Sequence, residues 1–264
     1  MIMKKNLRFL FRVQSARMGH ELINPVNSLL ELIGSVCYFF LHMVSFSLII
    51  SKFSFPGWSV GEMWVLLFTF QVFTYAAFYL FWKGLIHTVR DINRGVFDHL
   101  LTKPISSRLI TFFRSGGLHN FVCFILGLIS VFVSIYIFKL TINPLSVLIY
   151  FLTLIISLWI FHSFTVIFIS LNFFFGYIPT TSSVMFGIQE IYKYPTSLYN
   201  HAGIWAWLTV IPFSFFTTIP TTQLLLRPLQ PVFLAGYIVF FILSWLLSEF
   251  IWRFSVNHYS SSGS

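Results

Sequence analysis

Five stretches of this chain, Ser28–Ile50, Glu62–Trp82, Leu118–Leu140, Pro144–Ser170 and Val232–Trp252, are each apolar and about twenty residues long or more. That length crosses the roughly 30 Å hydrocarbon core of a bilayer. Inside lipid every backbone N–H and C=O must find a partner within the protein, so only helices and closed barrels cross. The alternating strands of about ten residues that build a barrel are absent. Charged residues make up 9% of the 264 positions and hydrophobic ones 57%, whereas a soluble domain carries roughly a quarter charged residues. The expected class is an all-α polytopic membrane protein.

The net charge of +9 points to no nucleic acid, because the basic residues cluster at the ends of the spans. With the N-terminus inside, Lys4, Lys5, Arg8, Arg12, Arg17, Lys83, Arg90, Arg94, Lys103, Arg108, Arg114 and Arg253 fall on the inner side. Lys52, Lys139, Lys193 and Arg227 fall outside. Twelve against four is a positive-inside asymmetry, so both termini are expected in the cytoplasm. No cleavable signal peptide is expected, since the first apolar run follows a long basic lead. Ser260–Ser264 reads as an appended linker.

Residues 1–27 are expected to form a cytoplasmic interfacial segment. Leu7, Leu10, Phe11, Met18 and Leu22 fall near one helical face, with Lys5, Arg8 and Arg12 on another, a pattern suited to a helix lying in the membrane interface. Asn24-Pro25 ends it, because proline cannot continue the hydrogen-bond ladder. Residues 28–252 then form the transmembrane domain, with six spans, and 253–264 the cytoplasmic tail.

The fifth span is the least defined. Phe173–Ile191 is moderately apolar but contains Pro179 and a Thr/Ser run; Ile204–Ile219 competes and is short for a span. Pro195, Pro212, Pro220, Pro228 and Pro231 punctuate this region. We assign the span to Phe173–Ile191 and read 196–228 as re-entrant helices on the outer side, a backbone tolerated only where protein or a water-lined cavity satisfies it.

Between the second and third spans lies an island of charge, residues 83–114. It holds six of the sixteen Lys and Arg and two of the seven acids. Leu85, Val89, Ile92, Val96 and Leu100 recur at helical spacing. Arg90, Arg94 and Asp98 lie on another face, with Asp91 placed to pair with Arg94 and Arg94 with Asp98. The spacing predicts a helix along the inner membrane surface, offering a polar docking face and ended by Lys103-Pro104. An ordinary topology-setting loop is the plainer alternative.

Catalytic motifs are missing. There is no phosphate-cradling GxxxxGK[ST], no HExxH and no GxSxG, and Cys37 and Cys123 sit singly in apolar runs. No cofactor or metal is expected on this chain. Glu31 and Glu190 lie within or near spans, where a charge costs about 2.5–3.5 kcal/mol. Each either faces a central path or serves a structural pairing. Glu31, Glu190, Tyr75 and Tyr194 are the candidate path residues.

Two segments carry a family resemblance. RGVFDHLLTKPIS supplies Gly95, Asp98, Leu100, Leu101, Lys103 and Pro104. YKYPTSLYNHAGIWAWLTVIPFSFFTTIPTTQLLL supplies Tyr194-Pro195, Pro212-Phe213 and Pro220. In order and spacing they resemble the membrane subunits of ATP-binding-cassette exporters of the second, polysaccharide- and drug-exporter-like class. The resemblance implies a permease half in a bacterial cytoplasmic (inner) membrane, paired with a second permease subunit, identical or paralogous, and surrounded by lipid. It implies cytoplasmic ATPase subunits, with ATP and Mg on those partners, docking on the N-terminal helix (Arg8, Arg12) and on Arg90, Asp91, Arg94, Gly95, Asp98 and Lys103. An ATP-independent carrier or channel is the alternative, and a lipid-modifying membrane enzyme a weaker one.

Overall fold

The computed structural model describes residues 23–103, 106–113, 116–176, 187–199, 211–227 and 231–259. The expected N-terminal helix with Arg8 and Arg12, most of the expected fifth span, part of the expected re-entrant region and Ser260–Ser264 lie outside the described residues. Within them the protein is helical and has no strand.

Helix α1 is Pro25–Lys52, with proline at its first position, where its missing N–H costs nothing. Helix α2, Val60–Ala77, starts at a capping box. Ser59 accepts from the Glu62 N–H and Glu62 accepts from the Ser59 N–H. A π-helical turn, Phe78–Trp82, joins it to α3, Lys83–Asn93. Short helices α4, Asp98–Leu101, and α5, Ser107–Phe113, complete the island. Helix α6 is Leu118–Ile137. Helix α7, Pro144–Ser170, opens with a second capping box between Asn143 and Ser146, and α8, Asn172–Phe175, extends it. A helical turn covers 187–192 and a 3₁₀ turn Thr196–Tyr199. Helix α9 is Ile211–Leu224 and α10 is Pro231–Asn257.

Among the described residues five helical runs are long and apolar enough to cross a membrane: Pro25–Lys52, Val60–Asn93, Leu118–Ile137, Pro144–Phe175 and Leu234–Asn257. Each contains most of one of the five expected strong spans, and the second continues beyond its expected end at Trp82. Phe173–Phe175, the expected start of the fifth span, instead continue the fourth.

The α2 run is central. In its most apolar window 78% of residues are buried, against 17% in α1 and in α10. It packs most extensively on α6, while α7 carries α9 and α10. Small residues let α2 and α6 approach. A Cβ on Gly127 would lie 3.0 Å from Val72 Cγ2 and 3.2 Å from the Val72 backbone nitrogen. Close backbone contact of this kind drives helix association in lipid.

Tyrosine hydroxyls staple the bundle. Tyr150 Oη and Thr69 Oγ1 share a hydrogen bond at 3.3 Å, and Tyr192 Oη and Thr74 Oγ1 one at 3.5 Å. Tyr237 Oη donates to the Thr153 carbonyl at 2.7 Å and meets Ser157 Oγ at 2.7 Å. Each joins residues from two different segments, and each hydroxyl would otherwise sit unsatisfied in an apolar interior.

Candidate functional site

Up to Asn93 the charged island is not a separate helix. It continues α2, and Val60–Asn93 forms one run. At about 1.5 Å per residue its 34 residues measure roughly 51 Å, well beyond a hydrocarbon core of about 30 Å.

The tip then turns back. Gly95 adopts φ 68°, the left-handed conformation that favours glycine. Its N–H donates to the Ile92 carbonyl at 3.3 Å, and the Val96 N–H donates to the Asp91 carbonyl at 3.0 Å. This pair of bonds is a Schellman closure, which satisfies the last carbonyls of α3. It also corrects two expectations. Arg90, Arg94 and Asp98 do not share one continuous helical face, because the break at Gly95 separates Asp98 from the others. The apolar stripe shifts by one residue: Leu85, Val89, Ile92 and Leu100 are buried, but Val96 is exposed and Phe97 is buried in its place.

Phe97 makes the tip rigid. Its ring meets Phe173 at 5.2 Å, Tyr259 at 5.6 Å and Trp252 at 6.1 Å, so the hairpin is knotted to the ends of α7 and α10. A polar clasp adds to this. Arg108 on α5 donates to Glu249 and, through Nη2, to Ser248 Oγ at 2.8 Å; Arg253 Nε donates to Glu249 Oε1 at 2.6 Å. Burial lowers the Arg108 pKa, and the Glu249 carboxylate opposes that shift. Glu249 and its partner Arg108 are 141 residues apart along the chain. On this base Arg90, Arg94, His99 and Lys103 are exposed, while Asp91, Gly95 and Asp98 are partly buried.

The four candidate path residues divide. Glu31 and Tyr75 meet in one cleft of about 370 Å³, together with Ser35, Tyr38, Phe78, Trp82, His119 and Asn120. His119 Nδ1 lies 3.1 Å from Glu31 Oε2, and Tyr75 Oη donates to the Ser35 carbonyl at 2.9 Å. The π-helical turn forms one wall. Such turns interrupt the regular ladder and recur at functional sites. Nothing local to Glu31 announced His119 as its partner.

Glu190 and Tyr194 lie elsewhere. Glu190 pairs with the buried Lys193 at 3.5 Å. Tyr194 stacks on Phe46 and Phe55 at 6.1 and 6.3 Å. Tyr199 Oη donates to the Ile191 carbonyl at 3.0 Å; burial first, then Tyr194 and Glu190, push its pKa up to about 12, which keeps the donor proton in place.

At the opposite end of α2, Arg227 closes a second clamp. Its Nε donates to Glu62 Oε1 at 2.7 Å and its Nη2 to Glu62 Oε2 at 2.6 Å and to the Gly57 carbonyl at 2.7 Å. The guanidinium also stands 4.6 Å from the Trp58 ring centre.

No group of three or more His, Cys, Asp or Glu side chains suited to a metal occurs among the described residues. No curated protein and no solved structure gives a significant match. A sequence model described as ABC-2 family transporter protein matches residues 32–263, which takes in α1 from its eighth residue onward, the other long apolar helices and the charged hairpin between α2 and α6. With five helices long and apolar enough to cross a membrane among its described residues, and that match over most of its length, this chain is a membrane permease belonging to the ABC-2 family of transporters.

Proposed function

We propose that this chain is one permease half of an ATP-driven exporter in a bacterial cytoplasmic membrane, with both termini in the cytoplasm. It pairs with a second permease, identical or paralogous. Separate ATPase subunits, carrying the ATP and Mg, dock on the charged hairpin through Arg90, Asp91, Arg94, Gly95, Asp98 and Lys103. The N-terminal segment with Arg8 and Arg12 adds to that surface.

The observation that carries this reading is the construction of the hairpin. Its tip exposes Arg90, Arg94, His99 and Lys103, while Phe97 and the Arg108–Glu249 clasp bind its base to the ends of α7 and α10. A push on the tip therefore reaches several helices at once, as alternation between inward- and outward-open states requires. Residues 196–228 form outer re-entrant helices in this scheme. Helix α9, Ile211–Leu224, lies within this region. Its Phe216 packs on Phe73 and Phe161 from the interiors of α2 and α7.

Affinity purification of the chain from its native membrane tests this reading. An ATP-binding-cassette subunit should co-purify stoichiometrically, and the assembly should hydrolyse ATP in lipid. An assembly that neither binds nor hydrolyses ATP contradicts it.

A further inference from the structure

We propose that the cleft at Glu31 binds an organic cation, an amine or quaternary ammonium carrying an aromatic or apolar body. The proposal rests on the permease reading, for it names the class of cargo that such a path would accept.

The cleft has the size and chemistry for this. Its volume of about 370 Å³ falls in the range of small-molecule sites, ~300–1,000 Å³. Its one carboxylate is Glu31, and Asn27 Nδ2 approaches Glu31 Oε1 at 3.4 Å. Around it stand Tyr38, Tyr75, Phe78 and Trp82. Aromatic faces attract cations through the ring quadrupole, most strongly where water is excluded. Among the described residues that line the cleft, none is Lys or Arg.

The polar groups fit the same occupant. A carboxylate within a membrane-crossing helix is costly and marks a site by default. Here Glu31 keeps more than a third of its side chain exposed, while its partner His119 is almost wholly buried. The His119 ring nitrogen thus stands where a cargo nitrogen would meet Glu31. The π-helical turn offsets Phe78 and Trp82 from regular helical register and sets their rings 5.4 Å apart, tilted, on the same wall.

Equilibrium binding of ethidium, a planar quaternary ammonium, to the full chain in nanodiscs tests the proposal. Wild type should bind saturably. Glu31→Gln should weaken binding about tenfold or more, as expected for loss of a charged contact, and Glu31→Asp should restore part of it. Tyr38→Leu, on a half-exposed side chain, should weaken binding several-fold. Phenanthridine, the uncharged parent ring, should not compete. The proposal is overturned if wild type shows no saturable binding, if Glu31→Gln binds like wild type, or if phenanthridine competes equally. The assay needs no ATPase. Failure here with intact ATPase co-purification removes the cation site and leaves the permease reading standing, and the reverse result does the opposite.

Discussion

The two ends of the α2 run are built on opposite plans. At the Glu62 end the helix starts at a capping box and is held by a bidentate arginine, a carbonyl contact and an aromatic face. At the Arg90 end it passes through a π-helical turn and finishes in a left-handed glycine with an exposed basic tip. Both ends use arginine and glutamate, but differently. Arg227–Glu62 fixes the helix to a loop and to the α9 end. Arg108–Glu249 fixes the base of the hairpin and leaves the tip's own arginines facing outward. One end anchors; the other receives.

That contrast can be broken from either side. The largest effect on folding is expected at the anchor. Arg227→Leu leaves Glu62, only 15% exposed, without its counter-charge and removes the Gly57 and Trp58 contacts. A stranded buried charge costs about 3 kcal/mol, read as a fall in thermal unfolding temperature of the detergent-purified chain. An unchanged midpoint would mean that this end is not an anchor.

Gly95→Ala comes next. A left-handed residue with a Cβ costs roughly 1–2 kcal/mol, and here the strain falls on the hairpin closure alone. Hydrogen exchange should quicken in residues 91–101, while the α2–α6 seam keeps its protection. Faster exchange throughout α6 would show that the hairpin and the bundle are a single cooperative unit.

Much of this frame is legible in sequence, because span length and apolar runs are local properties. Four helices begin and end within about five residues of their expected limits, with Pro25 and Pro144 marking two of the starts, while the second runs on from Trp82 to Asn93. The apolar stripe of the hairpin is legible up to Ile92. Beyond it, helical spacing names Val96 where the structure buries Phe97, since a single left-handed residue shifts the register and periodicity cannot register it. What pairs across the fold was hidden. Glu249 with Arg108, Glu62 with Arg227 and Glu31 with His119 are joined only by the three-dimensional packing, and no local pattern links them. The π-helical turn was hidden too, because Phe78–Trp82 reads as ordinary apolar helix. It explains why the island continues α2 instead of starting a separate surface helix.

The smallest expected effect on stability carries the largest on function. Arg90 and Arg94 are exposed, so reversing both to Glu should alter the unfolding free energy by no more than about 0.5 kcal/mol each. The decisive measurement is the stoichiometry of ATPase bound to Arg90→Glu/Arg94→Glu, beside wild type, in the same purification. A monodisperse, thermally normal permease that has lost its ATPase is the predicted result. A double variant that retains the ATPase and transports normally contradicts the claim that this tip is where the permease receives work.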